Sequence, residues 1–149
     1  YANVDGFDNS APQVPVAERP EIDRWILSLL NTLIREVEEA LDDYEPTKAA
    51  RAINDFVNDN LSNWYVRLNR KRFWGGEMDK DKLAAYQTLY TCLETVALLM
   101  APISPFFSDR LYTDLRSATA GDTTSVHLQW FLLSAVRSIS RCVSRSAHS

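Results

Sequence analysis

The chain has 149 residues, 46% of them hydrophobic and 24% charged, and a formal net charge of -4. That is about one domain's worth of sequence, enough to bury a core. Only four glycines argue for long helices over a many-stranded sheet, and no apolar run approaches the roughly 20 residues of a membrane helix. No secretory or transit signature opens the chain. Cys92 and Cys142 lie far apart without CxxC spacing, as inert thiols in a reducing compartment would, so a cytoplasmic location is expected. The first residue is Tyr1 rather than Met, as in a piece of a longer protein.

Residues 1–19 include Pro12 and Pro15 and show no helical period; they are expected to form a linker packed along a surface. Pro20 suits a first helical turn, and Glu21 and Asp23 favour the positive end of the helix dipole. Ile22, Ile26, Leu29, Leu30, Leu33, Val37, Ala40, Leu41 and Tyr44 then recur on one stripe. Glu36, Glu38, Glu39, Asp42, Asp43 and Glu45 fall on other faces. No Glu-x-x-His accompanies them, and the only histidines are His127 and His148, so these acids read as a solvated face rather than a metal or catalytic site.

Pro46 ends that helix and Thr47 starts the next, with Ala49, Ala50, Ile53, Val57, Leu61, Trp64 and Leu68 as its expected buried stripe. Advancing about 100° per residue sets Asn60, Asn63, Arg67, Arg70 and Trp74 on a second stripe at the edge of the first. Residues 63–74 hold four cations and four aromatics with no acid. A local positive excess in an acidic chain suits phosphate, and interleaved aromatics suit unpaired bases. The same cations also complement a helix C-terminus, and Trp64 and Leu68 fit a core, so the segment alone supports both readings.

Gly75-Gly76 closes this helix through a left-handed cap. Asp79 or Asp81 opens a third, carrying Leu83, Tyr86, Leu89, Tyr90, Leu93, Val96, Ala97 and Met100. It is apolar on most faces from Leu89 onward and is expected to be the most buried element. Pro102 stops it. Ser104-Pro105 starts a fourth helix with Phe106, Phe107, Leu111, Tyr112 and Leu115. After a loop at 118–124, Ser125 to Trp130 alternates like a short extended segment in which His127 reads as a packed side chain. Leu132 to Ser149 is rich in Arg and Ser without an acid and receives no function. The expected architecture is all-α: an antiparallel bundle of about four main helices over 20–118, preceded by the linker 1–19 and followed by loop, extended segment and tail at 119–149. A glycine-rich phosphate loop, a Gly-x-Ser-x-Gly turn, zinc spacing and a His-centred dyad are all missing. Pattern alone stops at a helical bundle with a basic, aromatic edge.

Three blocks carry a resemblance further: Ile22-Asp23-Arg24-Trp25-Ile26-Leu27, Asn60-Leu61-Ser62-Asn63-Trp64-Tyr65-Val66-Arg67, and Met100-Ala101-Pro102-Ile103-Ser104-Pro105-Phe106. In this order and spacing they resemble the helical anticodon-binding domain of class I aminoacyl-tRNA synthetases of the isoleucyl, valyl and leucyl type. Tyr1 to Phe7, Asn69 to Trp74 and Ser125 to Leu128 look most like the isoleucyl family, so that the similarity covers roughly residues 1–130. The resemblance implies a cytoplasmic enzyme that activates isoleucine with ATP and joins it to its tRNA. The His-x-Gly-His and Lys-Met-Ser-Lys-Ser type blocks are absent, which implies that ATP, isoleucine and catalysis belong elsewhere in the parent chain and that this piece carries no cofactor, metal or catalytic residue. Its implied partners are the anticodon stem-loop of the isoleucine tRNA and the catalytic domain of the same chain. The expected contacts are Arg67, Arg70, Lys71 and Arg72 on phosphates, Trp74 (or, as second choice, Phe73) stacked on a base, and Asn63 at a base edge. After Trp130-Phe131 the family usually continues with a proline and an acidic stretch, which Leu132 to Ser149 does not match. The rival readings are a helical protein-interaction module that uses the Trp64/Trp74 surface, and the same domain of a valyl or leucyl enzyme.

Overall fold

The computed structural model describes residues 5–7, 12–77 and 79–117; the expected loop, the Ser125–Trp130 segment with His127, and the tail lie outside them. A short 3-10 turn, Val16–Glu18, precedes helix α1, Glu21–Asp42. The chain then runs through α2, Pro46–Asp55, a π-helical stretch, Phe56–Val66, and the short α3, Arg70–Trp74. Helices α4, Lys80–Met100, and α5, Pro105–Ser117, complete the described part, in which there is no strand. This is the all-α bundle that the periodicity predicts.

The punctuation in the sequence has clear physical causes. At the end of α1 the Glu45 amide bonds the Ala40 carbonyl at 2.8 Å and the Tyr44 amide bonds that of Leu41 at 3.1 Å. These two bonds define a Schellman cap, whose left-handed residue is usually glycine. Here it is Tyr44, at φ 58°. Pro46 then occupies the first turn of α2, where its missing N–H costs nothing. Asp79 caps α4 by accepting from the Lys82 amide at 2.7 Å. Of the two glycines after α3, the second takes the left-handed conformation, Gly76 at φ 58°.

Asp23 at the start of α1 and Asp81 at the start of α4 both bind Arg72 of α3, so α1 and α4 begin at the same end. The α2–π–α3 limb runs back between them in the opposite direction. Helix α5 turns back along α4: the Ser108 hydroxyl donates to the Ala97 carbonyl, and Arg116 reaches Glu94 at 3.7 Å. The core joins Ile26, Leu30, Leu33, Val37 and Ala40 of α1 to Ala49, Ile53, Phe56, Leu61, Tyr65 and Phe73 of the second limb. Ala85, Tyr86, Cys92, Val96 and Leu99 of α4 close it.

In the second limb the structure corrects the expected stripe. Ile53 and Leu61 are buried, but Trp64 and Leu68 are 58% and 59% exposed, and Phe56 and Tyr65 hold the core positions instead. The cause is the π-helical stretch. Hydrogen bonding from i to i+5 winds the chain less per residue than an α-helix does, so an extrapolation at about 100° per residue loses register within three turns. A related correction applies to α5, where Phe106 and Phe107 are exposed and the inward line is Ser108 and Tyr112.

Helix α4 is the most buried element, as expected, with eleven buried residues against six in α1. Its burial reaches further toward the N-terminus than the apolar pattern suggests, and includes Lys82, Gln87 and Thr88. The segment before α1 lies over these polar groups as a strap. Gln87 accepts from the Val14 amide at 2.9 Å and donates to the Pro12 carbonyl at 3.1 Å. Arg19 donates to the Val14 carbonyl and to the Thr88 hydroxyl, at 2.9 and 3.1 Å, and Lys80 pairs with Glu18. The buried amide and hydroxyl of α4 thus supply the hydrogen bonds that an extended segment without strand partners must find.

Two expectations test this core. Leu61→Ala should cost about 2–5 kcal/mol by chemical denaturation, whereas Leu68→Ala should change stability by less than about 0.5 kcal/mol; equal costs would refute the π-shifted register. The second concerns pH. Burial, with a further push from the charge of Asp23 and an opposing pull from Arg19, raises the Cys92 thiol to about 12. A group raised in the folded state stabilises fully below its unfolded value, about 8.5 for cysteine, and loses that contribution as pH climbs toward the folded value. Stability should therefore fall between about pH 8.5 and 10, before tyrosines ionise, and Cys92→Ala should flatten the fall. A slope unaltered by that substitution would exclude Cys92 as its source.

Candidate nucleic-acid interface

The basic stretch is divided by a single break at Asn69. Its backbone leaves the helical region, φ -94° and ψ 9°, and its buried side chain donates to the Tyr65 carbonyl at 2.7 Å. The five residues after it form α3. Asn69 also accepts from Arg72 at 2.9 Å, so the break itself orients the following cation.

Arg72 points into the bundle. Its two terminal nitrogens grip the Asp23 carboxylate at 2.8 and 3.0 Å. Nε and Nη2 grip the Asp81 carboxylate at 2.9 Å each, and Nη2 also reaches the Asp81 carbonyl at 3.0 Å. Every N–H of the guanidinium is engaged. Asp23, with no exposed surface, accepts a further bond from the Tyr65 hydroxyl at 2.7 Å. Burial raises the Tyr65 hydroxyl well above the usual tyrosine range, and the Asp23 charge raises it more, so it remains a donor. On Arg72, burial acts to lower the pKa, but the hydrogen bonds to Asp23 and Asp81 outweigh it and the guanidinium is held charged.

The remaining side chains sort by the same geometry. Phe73 is buried, its ring 5.2 Å from that of Tyr86 and tilted by 55°. Asn63, Trp64, Arg67, Leu68, Arg70, Lys71 and Trp74 are exposed, with Trp74 at 62%. Asn63, Trp64, Arg67 and Leu68 precede the break at Asn69, and Arg70, Lys71 and Trp74 follow it on α3. Arg67, Arg70 and Lys71 form no salt bridge with any described residue. This exposed ridge therefore combines three cations that no described acid compensates with the exposed indole rings of Trp64 and Trp74. Two expected contacts are corrected: Arg72 is neutralised internally and Phe73 belongs to the core, so neither faces solvent beside the others.

Sequence reasoning passed over the residues that hold this site together. Asp23 complements the dipole of α1, yet it also stands on the seam Asp23, Ile26, Leu30, Leu33, Val37, Ala40, which alternates by three and four residues. An acid on a core seam is the signal that a cation must come to meet it. Tyr65, Asn69 and Asp81 carried no comparable mark. Among the described residues no group of three His, Cys, Asp or Glu side chains is placed to hold a metal, and no helix is long and apolar enough to cross a membrane.

Comparison with known proteins bears on this ridge. The family pattern described as the anticodon-binding domain of tRNA ligase matches residues 23–141. The isoleucine–tRNA ligase of Bacteroides thetaiotaomicron is 74% identical over 132 residues, which is 88% of this chain and 11% of that protein. That of Porphyromonas gingivalis is 66% identical over 131 residues, 88% of this chain and 11% of that protein. That of Thermus thermophilus is 50% identical over 129 residues, 86% of this chain and 12% of that protein. The chain thus spans only about an eighth of the length of such relatives.

The internal role of Arg72 makes a sharp contrast with its neighbours. Arg72→Met should destabilise the domain by about 3–5 kcal/mol, because it strands a buried carboxylate, and Arg72→Lys should recover only part of the loss, lacking the fork that spans two carboxylates. Arg67→Gln should stay within about 0.5 kcal/mol of the parent. Urea denaturation of the three variants decides this, and a mild Arg72→Met phenotype would be incompatible with the geometry.

Proposed function

As the chain belongs to the family of anticodon-binding domains of tRNA ligases, we propose that its exposed ridge grips the anticodon stem and loop of the isoleucine tRNA, as one part of a longer cytoplasmic isoleucine–tRNA ligase. The observation that carries this reading is the set of three exposed cations without a salt bridge to any described residue, Arg67, Arg70 and Lys71, together with exposed Trp64 and Trp74. Such cations exchange water and counterions for phosphate, and releasing counterions favours binding. Indole faces with more than half their surface open suit bases that leave the stack of an RNA loop. Asn63, four residues before Arg67, offers both a donor and an acceptor to a base edge.

In this reading the domain contributes binding and orientation and no chemistry. ATP, isoleucine and the joining reaction belong to other parts of the parent enzyme, whose catalytic domain is the second partner. A protein-binding role for the same ridge makes the opposite prediction about salt, since burial of Trp64, Leu68 and Trp74 against an apolar partner releases no condensed ions.

A titration of the chain with an isoleucine-tRNA anticodon stem-loop tests the proposal. With three phosphates neutralised, log K should fall against log salt with a slope of about -2 to -3. Arg67→Glu combined with Arg70→Glu should reduce affinity at least 100-fold at low salt while the far-UV circular dichroism and the denaturation midpoint stay close to the parent. Undiminished affinity in the double variant would remove the ridge as the binding site, and salt-independent binding would favour the protein-partner role.

A further inference from the structure

The residues Asp5-Gly6-Phe7 stand at the beginning of the strap, far from the ridge in sequence, and close on two side chains of α4. Gly6 is left-handed, φ 65°, a turn that glycine makes without strain and that sends Asp5 and Phe7 to the same helix. The Asp5 carboxylate pairs with Lys82 at 2.8 Å and accepts from the Tyr86 hydroxyl at 2.5 Å. Phe7 stacks on the Tyr86 ring, with centroids 5.2 Å apart and planes 28° from parallel.

The same two side chains touch the end of α3. Lys82, only 4% exposed, places its ammonium 3.5 Å from the carbonyls of Gly75 and of Gly76, where a helix C-terminus favours positive charge. The Tyr86 ring also meets Phe73, the residue before Trp74, at 5.2 Å between centroids. A polar path (Asp5, Lys82, Gly75 and Gly76) and an aromatic path (Phe7, Tyr86, Phe73) therefore run side by side from the strap to the helix that carries Arg70, Lys71 and Trp74. Neither path uses the Asp23–Arg72 pair. Lys82 and Tyr86 are tied on both sides, which a capping lysine or a core tyrosine alone does not require.

We propose that Lys82 and Tyr86 are positioning residues that couple docking of the Asp5–Phe7 strap to RNA binding at α3. The proposal rests on the ridge being the RNA site, and extends it by naming what sets the ridge's angle. Docking the strap holds the end of α3, and with it Trp74, in the binding orientation. By reciprocity, RNA on the ridge tightens the strap by the same factor.

Asp5→Asn provides the test, because electrostatics and coupling give it opposite signs. Removing a negative charge makes the domain less acidic, which by field alone strengthens RNA binding; loss of the latch weakens it. Affinity for the stem-loop is measured by fluorescence anisotropy for the parent chain, Asp5→Asn, Phe7→Ala, Trp74→Ala and the Asp5→Asn/Trp74→Ala pair, at a temperature where each is shown to be folded. Amide exchange of residues 12–19 is followed with and without RNA. We expect Asp5→Asn and Phe7→Ala each to weaken binding about 3- to 10-fold, within the range of typical coupling between sites. Asp5→Asn should have a smaller effect in the Trp74→Ala background, where only Arg70 and Lys71 remain on α3 to respond, and RNA should slow exchange in the strap. Parent-like or tighter binding by both single variants, or an equal Asp5→Asn effect with and without Trp74, overturns the coupling while leaving the ridge in place. A parent chain that does not bind the stem-loop at low salt overturns both.

Discussion

Everything at one end of this bundle depends on a buried carboxylate. Asp23 has no exposed surface and lies on the seam that α1 turns toward the core, and an unpaired charge there would be intolerable. Its counter-ion comes from 49 residues further along the chain. Arg72 can satisfy it only if the second limb returns antiparallel to α1 and ends at the right height. Because the guanidinium is a rigid fork, it grips Asp81 as well and so fixes where α4 begins. Breaking such a pair costs far more than forming it gains, and this asymmetry suits a registration device. Helix α3 shows the dependence most directly, since five residues cannot sustain a helix in water without tertiary support.

The π-helical stretch meets the same constraint from the other side. Tyr65 must reach Asp23 from the second limb, and an unbroken α-helix from Ile53 would deliver Trp64 to the core instead. Looser winding through Phe56–Val66 brings Phe56, Leu61 and Tyr65 inward in turn and swings Trp64 outward. Long π runs are rare because their backbone geometry is poor. Here a phenol bonded to a buried carboxylate and an indole placed on the surface accompany the deviation. The exposed tryptophan is thus a product of how the core is satisfied as well as a feature of the ridge.

Which parts were legible follows from the range of the physics. Helix number and limits were readable because proline, glycine and capping residues act within a few residues of themselves: Pro46, Gly75-Gly76, Asp79, Pro102 and Pro105 all mark real ends. The seam of α1 was readable because its period is uniform. The register of the second limb was not, because periodicity assumes one helix type and nothing local announces the change. The division within the basic run was hidden for a different reason. Arg70, Lys71 and Arg72 differ only in what lies opposite them, and Asp23 and Asp81 come from distant parts of the chain. Buried Gln87 and Thr88 were likewise invisible, since the strap that covers them pairs across 69 to 75 residues.

The separation of roles along α3 has a consequence for how such a surface can change. Successive residues of a helix step about 100° around its axis, so a basic run always contributes to more than one face. In this run Arg72 and Phe73 face inward and hold the fold, while Arg70, Lys71 and Trp74 face outward beside Arg67. The outward cations, Arg67, Arg70 and Lys71, make no salt bridge with the described part of the bundle and can be exchanged at little cost to stability. The inward pair cannot. A run that looks uniform in charge therefore contains two sets of residues under different constraints, one answering to the core and the other to whatever the ridge binds. The two sets share one backbone, so the outward residues of α3 stand on a helix whose inward contacts are with Asp23, Asp81, Lys82 and Tyr86.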